Sequence, residues 1–386
     1  MIPYGKQDIT PEDIEQVVQV LKSDCITQGK TVPAFESAVA DYCGVQYGVA
    51  VNSGTSALHI ACLALGVGTG DIVWTSPITF IASANCARYC GADVDFVDID
   101  PKTYNMCLKA LSEKLKLADK KGCLPKVVIP VHMCGQSCAM DQIRELSKKY
   151  GFSIIEDACH AIGGKFQNKP VGGCQYSDIS VFSFHPVKII TTAEGGMAMT
   201  NRADLAEKMT LLRSHSITRD QNKMVNKSDG PWYYQQIGLG FNYRLTDLQA
   251  ALGLSQISRI DEYVEKRHRI AEAYDQALKD LQLELPSRHP ESYSSFHLYV
   301  VRLPIKIIKI EKDRIVNLLR ESGVGVNIHY IPVHTQPYYR ELGFVEGTFP
   351  QAEKYYAEAM SLPIYPTLTE EQLGHVVECL KGIIGR

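Results

Sequence analysis

The stretch SFHPVKIITTAEGG, residues 183–196, sets one lysine, Lys188, among small, β-branched and apolar residues, between a strand-like run and a paired-glycine turn. A lysine in that setting leaves water, keeps its tip solvated on a snorkelling stem, or serves as an amine whose proton can be removed. Standing alone it would be read as a snorkelling surface residue, so the other chemistry-bearing residues decide. In IIEDACHA, residues 154–161, a buried-strand pattern ends on Glu156, Asp157 and His160. A carboxylate there lies on the edge where open α/β sheets bind ligands, and Asp157 could keep a pyridine nitrogen protonated by ion pairing. NSGTSAL, residues 52–58, follows a strand and opens a helix, so its backbone N–H groups and the hydroxyls of Thr55 and Ser56 are placed to hold a phosphate at a helix N-terminus. SPITFIASAN puts Phe80 just after the preceding strand, where an aromatic face can stack on a flat ring. Phosphate cradle, acid, stacking ring and Schiff-base lysine are the parts that an amine-reactive aldehyde cofactor demands. Taken singly, each has a plainer reading: an N-cap, a turn acid, a core phenylalanine, and for His160 a core histidine with one hydrogen bond.

These residues need a frame. From about residue 47 to 201, apolar runs alternate with helix-length amphipathic segments: YGVAVN, DIVWTS, DVDFVDI, KVVIPVHM, SIIEDA, ISVFSF and GGMAMTN. That alternation predicts an α/β domain with a mainly parallel sheet covered on both faces by helices such as SALHIACLAL and MDQIRELSKKY. Beyond residue 255, SRIDEYVEKRHRIAEAYDQALKDL reads as a long charged-faced helix. FHLYVVRL and GVGVNIHYIP read as strands flanking the helix EKDRIVNLLRESG, and helices in FPQAEKYYAEAM and TEEQLGHVVECLKGII complete a smaller α+β lobe. The polar stretch 217–240 has little periodicity and reads as an ordered functional loop or a partner-contacting excursion.

The chain has 386 residues and a formal net charge of −3, with no segment concentrating Lys or Arg, so neither a nucleic-acid partner nor an anionic-membrane surface is indicated. The N-terminus is polar and acidic, and no run approaches the ~20 apolar residues of a membrane span, which reads as cytoplasmic. Twelve cysteines scattered through helix- and strand-like segments read as free thiols. Cys86/Cys90 and Cys134/Cys138 share CxxxC spacing, but a metal site would need convergent ligands from elsewhere, so none is expected. GVGTGD, residues 66–71, follows a helix and precedes a strand, the reverse of a dinucleotide fingerprint, and reads as a helix C-cap and turn; an NAD-linked epimerase or dehydratase is excluded for want of that fingerprint.

NSGTSAL, TFIASANC, IEDACHAIGG, SFHPVKIITTAEGGM and LGFNYRLTDLQAALGLSQ follow one another in the order seen in the DegT/DnrJ/EryC1/StrS family of sugar-nucleotide aminotransferases, and the resemblance extends over essentially the whole chain. It implies a fold type I, aspartate aminotransferase-like pyridoxal 5'-phosphate architecture. Residues 1–255 would form a large domain with a mainly parallel seven-stranded sheet, and 256–386 a smaller C-terminal α+β domain. It implies Lys188 as the Schiff-base lysine, Asp157 at the pyridine nitrogen, His160 near the ring oxygen and Phe80 on the ring face. Thr55, Ser56 and Ser183 would hold the phosphate, with Asn242 reaching it from the neighbouring subunit of a homodimer with shared active sites. Some relatives that carry histidine at the lysine position are sugar dehydrases; the lysine here implies transamination.

Further segments, among them IPYGKQDIT, ITQGKTVPAFE and VNIHYIPVHTQPYY, resemble the branch of the family that aminates the 4-keto group of a UDP-linked 2-acetamido-2,6-dideoxyhexose. By that resemblance Tyr4, the run Ile26, Thr27, Gln28 and Gly29, and the run Asn327, Ile328, His329 and Tyr330 would contact the sugar nucleotide. The amino donor would be L-glutamate, leaving as 2-oxoglutarate. Two other readings stay open: action on a different 4-keto or 3-keto nucleotide sugar, and a cofactor-binding regulatory homologue without turnover. Ala193 and Ser216 stand where the resemblance as often has glycine.

Overall fold

The computed structural model describes residues 1–304 and 310–384. All seven apolar runs form one sheet: β1 (Tyr47–Val51), β2 (Ile72–Thr75), β3 (Asp93–Phe96), β4 (Val127–Ile129), β5 (Ser153–Asp157), β6 (Ile179–Ser183) and β7 (Gly196–Thr200), in the order β1-β7-β6-β5-β4-β2-β3. Neighbours run parallel except at β7, which is antiparallel to both β1 and β6. Every residue of β4 and β7 is buried, as expected of strands covered on both faces.

The helices of this part are α1 (Pro11–Leu21), α2 (Thr31–Cys43), α3 (Gly54–Ala64), α4 (Ala82–Tyr89), α5 (Leu108–Lys121), α6 (Met140–Tyr150), α7 (Ala203–Leu212) and α8 (Asp247–Gln256), followed by the long α9 (Ile260–Leu278). Strand alternation sorts them into layers. Val49, Val51, Ile155, Val181 and Ala198 face α3, α4 and α7. Ala50, Phe182, Met197 and Met199 face α2 and α8, and Trp74, Val128 and Ile154 face α5 and α6 on that same side. Glycine carries two close approaches that shape the site. A Cβ on Gly54 would lie 3.0 Å from Ser183 Cβ, and one on Gly196 would lie 2.5 Å from the carbonyl carbon of Ser53.

A further core gathers Ile270 and Tyr274 of α9 with the antiparallel strands Tyr299–Arg302 and Ala359–Leu362 and the helices Lys312–Glu321 and Glu370–Ile384. Two expectations are corrected here. The helix in FPQAEKYYAEAM stops at Glu358, and the next four residues form a strand because they pair with Tyr299–Arg302. GVGVNIHYIP is not a strand; it makes only single bridges, Val324 to Ile2 and Asn327 to Ser361. A Cβ on Gly325 would come within 2.8 Å of the Ile2 carbonyl oxygen, so the N-terminal residues crowd this segment where a ladder would need a partner strand.

The N-terminal residues bind two regions together. Ile2 donates to the Gly323 carbonyl and Tyr4 accepts from the Ile364 N–H, while Asp13, wholly buried, pairs with Arg259 at 2.7 Å. The stretch 217–240 contains a short hairpin, Ile217–Thr218 against Gln235–Gln236, and leaves Trp232 70% and Leu239 80% exposed.

Ala193 and Ser216 both have left-handed backbones, φ 64° and 52°. An L-residue pays a steric cost there that glycine does not. Ala193→Gly is therefore expected to raise unfolding stability by ~0.5–1 kcal/mol, because strain relief exceeds the added chain entropy at an exposed loop position. Chemical denaturation checks this, and a lower midpoint at unchanged slope would show that the turn is not strained.

Candidate active site

The C-terminal ends of β1, β2, β4, β5 and β6 open onto one cavity of about 770 Å³. Open α/β sheets place ligands at this edge because the strand-to-helix turns there expose backbone N–H groups and side chains together. Of the residues singled out from sequence, Tyr4, Thr55, Ser56, Phe80, Asp157, His160, Ser183, Lys188, Asn327, Ile328, His329 and Tyr330 line it.

Lys188 follows β6 in a turn closed by its N–H on the His185 carbonyl. The side chain is half-buried, and burial lowers its pKa, with Cys159 and Asp157 acting in the other direction. Loss of water makes the amine easier to deprotonate, which suits a nucleophile or a proton carrier. Asp157 closes β5. One of its oxygens accepts from Ser83 Oγ at 2.5 Å and the other from the Cys159 N–H at 3.2 Å, so the carboxylate is held at a fixed angle. Ser83 in turn meets Thr79 Oγ1 at 2.7 Å.

The first turn of α3 supplies the polar end of the cavity. Ser53 caps the helix by accepting from the Ser56 N–H at 3.1 Å, and Ser56 Oγ donates to Asn52 Oδ1 at 2.6 Å. The remaining N–H groups and the helix dipole favour an anion there. Phe80 is 56% exposed and lines the cavity, its nearest aromatic ring among the described residues being that of Tyr330 at 6.2 Å.

His160 Nε2 meets Tyr330 Oη at 2.9 Å, while its buried Nδ1 has no partner among the described residues. Burial, then Lys188 and His329, hold the His160 pKa well below the usual imidazole range, so its ring is neutral. His329, with Nδ1 on Ser361 Oγ at 2.8 Å, is pushed down to about 4 by burial and then Lys188. Tyr4 packs its ring 5.1 Å from His329, and burial raises its pKa against the opposing Asn327 hydrogen bond.

These residues fit pyridoxal phosphate: an anion-favouring helix start, a fixed carboxylate, an exposed aromatic face, an imidazole and an amine share one cavity. Among the described residues no group of three His, Cys, Asp or Glu side chains could hold a metal ion.

Five singled-out residues do not line this chain's cavity. Ile26, Thr27, Gln28 and Gly29 lie near the start of α8, with the Thr27 and Ile26 carbonyls accepting from Asp247 and Leu248. Asn242 is exposed, bridged to Ser214. Conversely, sequence reasoning gave no role to Asn52, Ser53, Ser83, Cys159, His185, Glu194 or His297. Asn52 and Ser53 stood inside the quoted NSGTSAL motif and were legible as a cap. Ser83 and His297 carry no local signal, since each acts on a residue far away in sequence.

The chain matches the family model described as DegT/DnrJ/EryC1/StrS aminotransferase over residues 7–381. It is 36% identical over 385 residues to the UDP-4-amino-4,6-dideoxy-N-acetyl-beta-L-altrosamine transaminase of Campylobacter jejuni subsp. jejuni serotype O:23/36 (strain 81-176), covering 100% of this chain and 98% of that one. It is 37% identical over 363 residues to the GDP-perosamine synthase of Caulobacter vibrioides, covering 92% and 91%. Helicobacter pylori PseC, an aminotransferase involved in the biosynthesis of pseudoaminic acid, superposes with a TM-score of 0.90 at 31% identity over 100% of this chain and 99% of that structure.

Proposed function

Because this chain belongs to the DegT/DnrJ/EryC1/StrS aminotransferase family and is a pyridoxal-phosphate-dependent nucleotide-sugar transaminase, we propose that it moves an amino group from L-glutamate to C4 of a UDP-linked 4-keto-6-deoxy-N-acetylhexosamine. The product on this reading is UDP-4-amino-4,6-dideoxy-N-acetyl-beta-L-altrosamine. The observation that carries the choice is one part of the cavity lining. It is built from Tyr4 and from Asn327, Ile328, His329 and Tyr330, which sit in the segments that resemble the altrosamine branch. A perosamine-type reading is the second choice, favoured by the similar identity to GDP-perosamine synthase.

When bound, the cofactor supplies an electron sink and a temporary seat for nitrogen. We assign its phosphate to Thr55, Ser56 and Ser183, its ring nitrogen to Asp157, its ring face to Phe80 and its ring oxygen to His160. Lys188 anchors it, then as a free amine takes the proton from Cα of glutamate and later delivers one to C4 of the sugar. Neutral His329 and Tyr330 orient the sugar without adding charge. The same reading divides the chain into a large domain, 1–255, and a small domain, 256–386, and sets the enzyme in the cytoplasm. Among the described residues no helix is long and apolar enough to cross a membrane.

Incubation with glutamate and, in parallel, the UDP-linked 4-keto sugar and a GDP-linked 4-keto-6-deoxyhexose tests the proposal by NMR of the products. Preferential amination of the GDP sugar would replace the altrosamine reading by the perosamine type.

The proposal includes a homodimer in which Asn242, exposed in its own chain, completes the partner's phosphate cradle. The exposed Trp232 and Leu239 beside it supply apolar surface for such a contact. Lys188→Ala and Asn242→Ala homodimers are then both weak. Exchanging subunits between them should return measurable activity, because one site of each mixed dimer regains both residues. Verified exchange without recovery would place Asn242 in service of its own chain.

A further inference from the structure

His297 takes no part in the reading above, yet the structure spends several constraints on placing it. Its ring is 4% exposed, lines the cavity and lies 4.3 Å from the His160 ring at 48°. Tyr330 stands off another side of His160, its ring 6.0 Å away at 26° and its hydroxyl on Nε2. His160 is thus held between two aromatic groups delivered from more than 130 residues downstream.

The backbone carrying His297 is itself fixed. Phe296, just before it, has φ 46°, a left-handed conformation that a phenylalanine keeps only where its surroundings enforce it. Ser295 Oγ donates to the His160 carbonyl at 2.6 Å, tying the two histidine segments directly. Gly135 fills the space beside them: a Cβ there would lie 2.9 Å from the His160 oxygen and 3.1 Å from the His297 nitrogen. Behind stands Arg267, 1% exposed, whose Nη1 donates to the carbonyls of Phe296, His297 and Ile364 while its Nε and Nη2 have no partner among the described residues. A guanidinium is costly to bury, and here its three carbonyl contacts clamp this turn.

We infer that His297 is a positioning residue whose planar ring buttresses His160 and sets the angle at which that imidazole faces the cofactor ring. The effect on the cofactor rests on the placing of His160 proposed above; the contact between the two histidines does not.

The test contrasts His297→Phe, which keeps a planar ring, with His297→Leu, which keeps bulk without one. In the first arm, imidazole NMR of the cofactor-free chain follows His160, assigned with His160→Gln. Phe should leave one narrow set of His160 signals, and Leu should give broadened or averaged ones. In the second arm, the absorption spectrum and dissociation constant of bound pyridoxal phosphate are measured. Leu should shift the spectrum in the same direction as His160→Gln and weaken binding about 10-fold, Phe should restore most of both, and the double variant should add nothing to His160→Gln. Unchanged His160 signals in the Leu variant would overturn the inference, as would a Phe variant as impaired as Leu, or a Leu variant that lowers only the melting temperature. If His160→Gln leaves the cofactor spectrum untouched, the placing of His160 falls, and the first arm still decides whether His297 holds it.

Discussion

Lys188→Ala is expected to lose transamination by at least ~10³-fold, close to the limit of detection, because one amine both anchors the cofactor and carries the proton. Among the described residues that line the cavity Lys188 is the one primary amine, so no neighbour there can take over the anchoring. The fold should survive, since the side chain is half-buried and lines an open cavity rather than filling a hydrophobic core. The variant should therefore show an unchanged circular dichroism spectrum, lose the absorbance of lysine-bound cofactor, and give no product from glutamate and keto sugar. Turnover at the parent rate in a verified, cofactor-loaded variant would remove Lys188 from the mechanism and leave the lysine as a solvated surface residue.

Asp157→Asn is expected to have the next largest effect, a fall of ~10²–10³-fold in the glutamate half-reaction, the range seen when one preorganised electrostatic group is removed from a reacting centre. The amide is isosteric, and its oxygen can still accept the 2.5 Å bond from Ser83 Oγ. Structure is thus largely kept while the negative charge is lost. A neutral group cannot hold the ring nitrogen protonated, so the ring draws electrons less strongly from the carbon that gives up its proton. The loss should appear in single-turnover rates with glutamate and much less in cofactor retention, which the phosphate end dominates. If single-turnover rates match the parent while stability falls, Asp157 is a structural turn acid whose partner is Ser83.

Most of the sheet and much of the lining of the cavity were legible before folding was considered, and for a local reason. Each of the seven strands is a short run rich in apolar residues, most of them set off by helix-length segments, and burial on both faces leaves no alternative use for such runs. The NSGTSAL helix start and Asp157 lie within a few residues of the strand ends that position them, so motif and geometry coincide. The strand Ala359–Leu362 was not legible, because AMSL has no strong β-propensity of its own and becomes a strand only by pairing with Tyr299–Arg302. GVGVNIHYIP failed the other way: its pattern is strand-like, but the N-terminal residues that crowd it are over 300 positions away.

What the sequence determined by itself, then, is the α/β frame, the helix start in NSGTSAL, and the placing of Asp157 at a strand end and Lys188 in the segment that follows another, since all of these follow from periodicity and position along the chain; that the two strands are parallel neighbours was decided by the packing of the sheet. Tertiary structure alone decided that Ser83 orients Asp157, that His297 and Tyr330 bracket His160, and that Ile26, Thr27, Gln28, Gly29 and Asn242 stay outside their own chain's cavity. Those outcomes depend on contacts between segments far apart in sequence, whose energies arise only when the layers pack and which leave no periodic trace in the residues that make them.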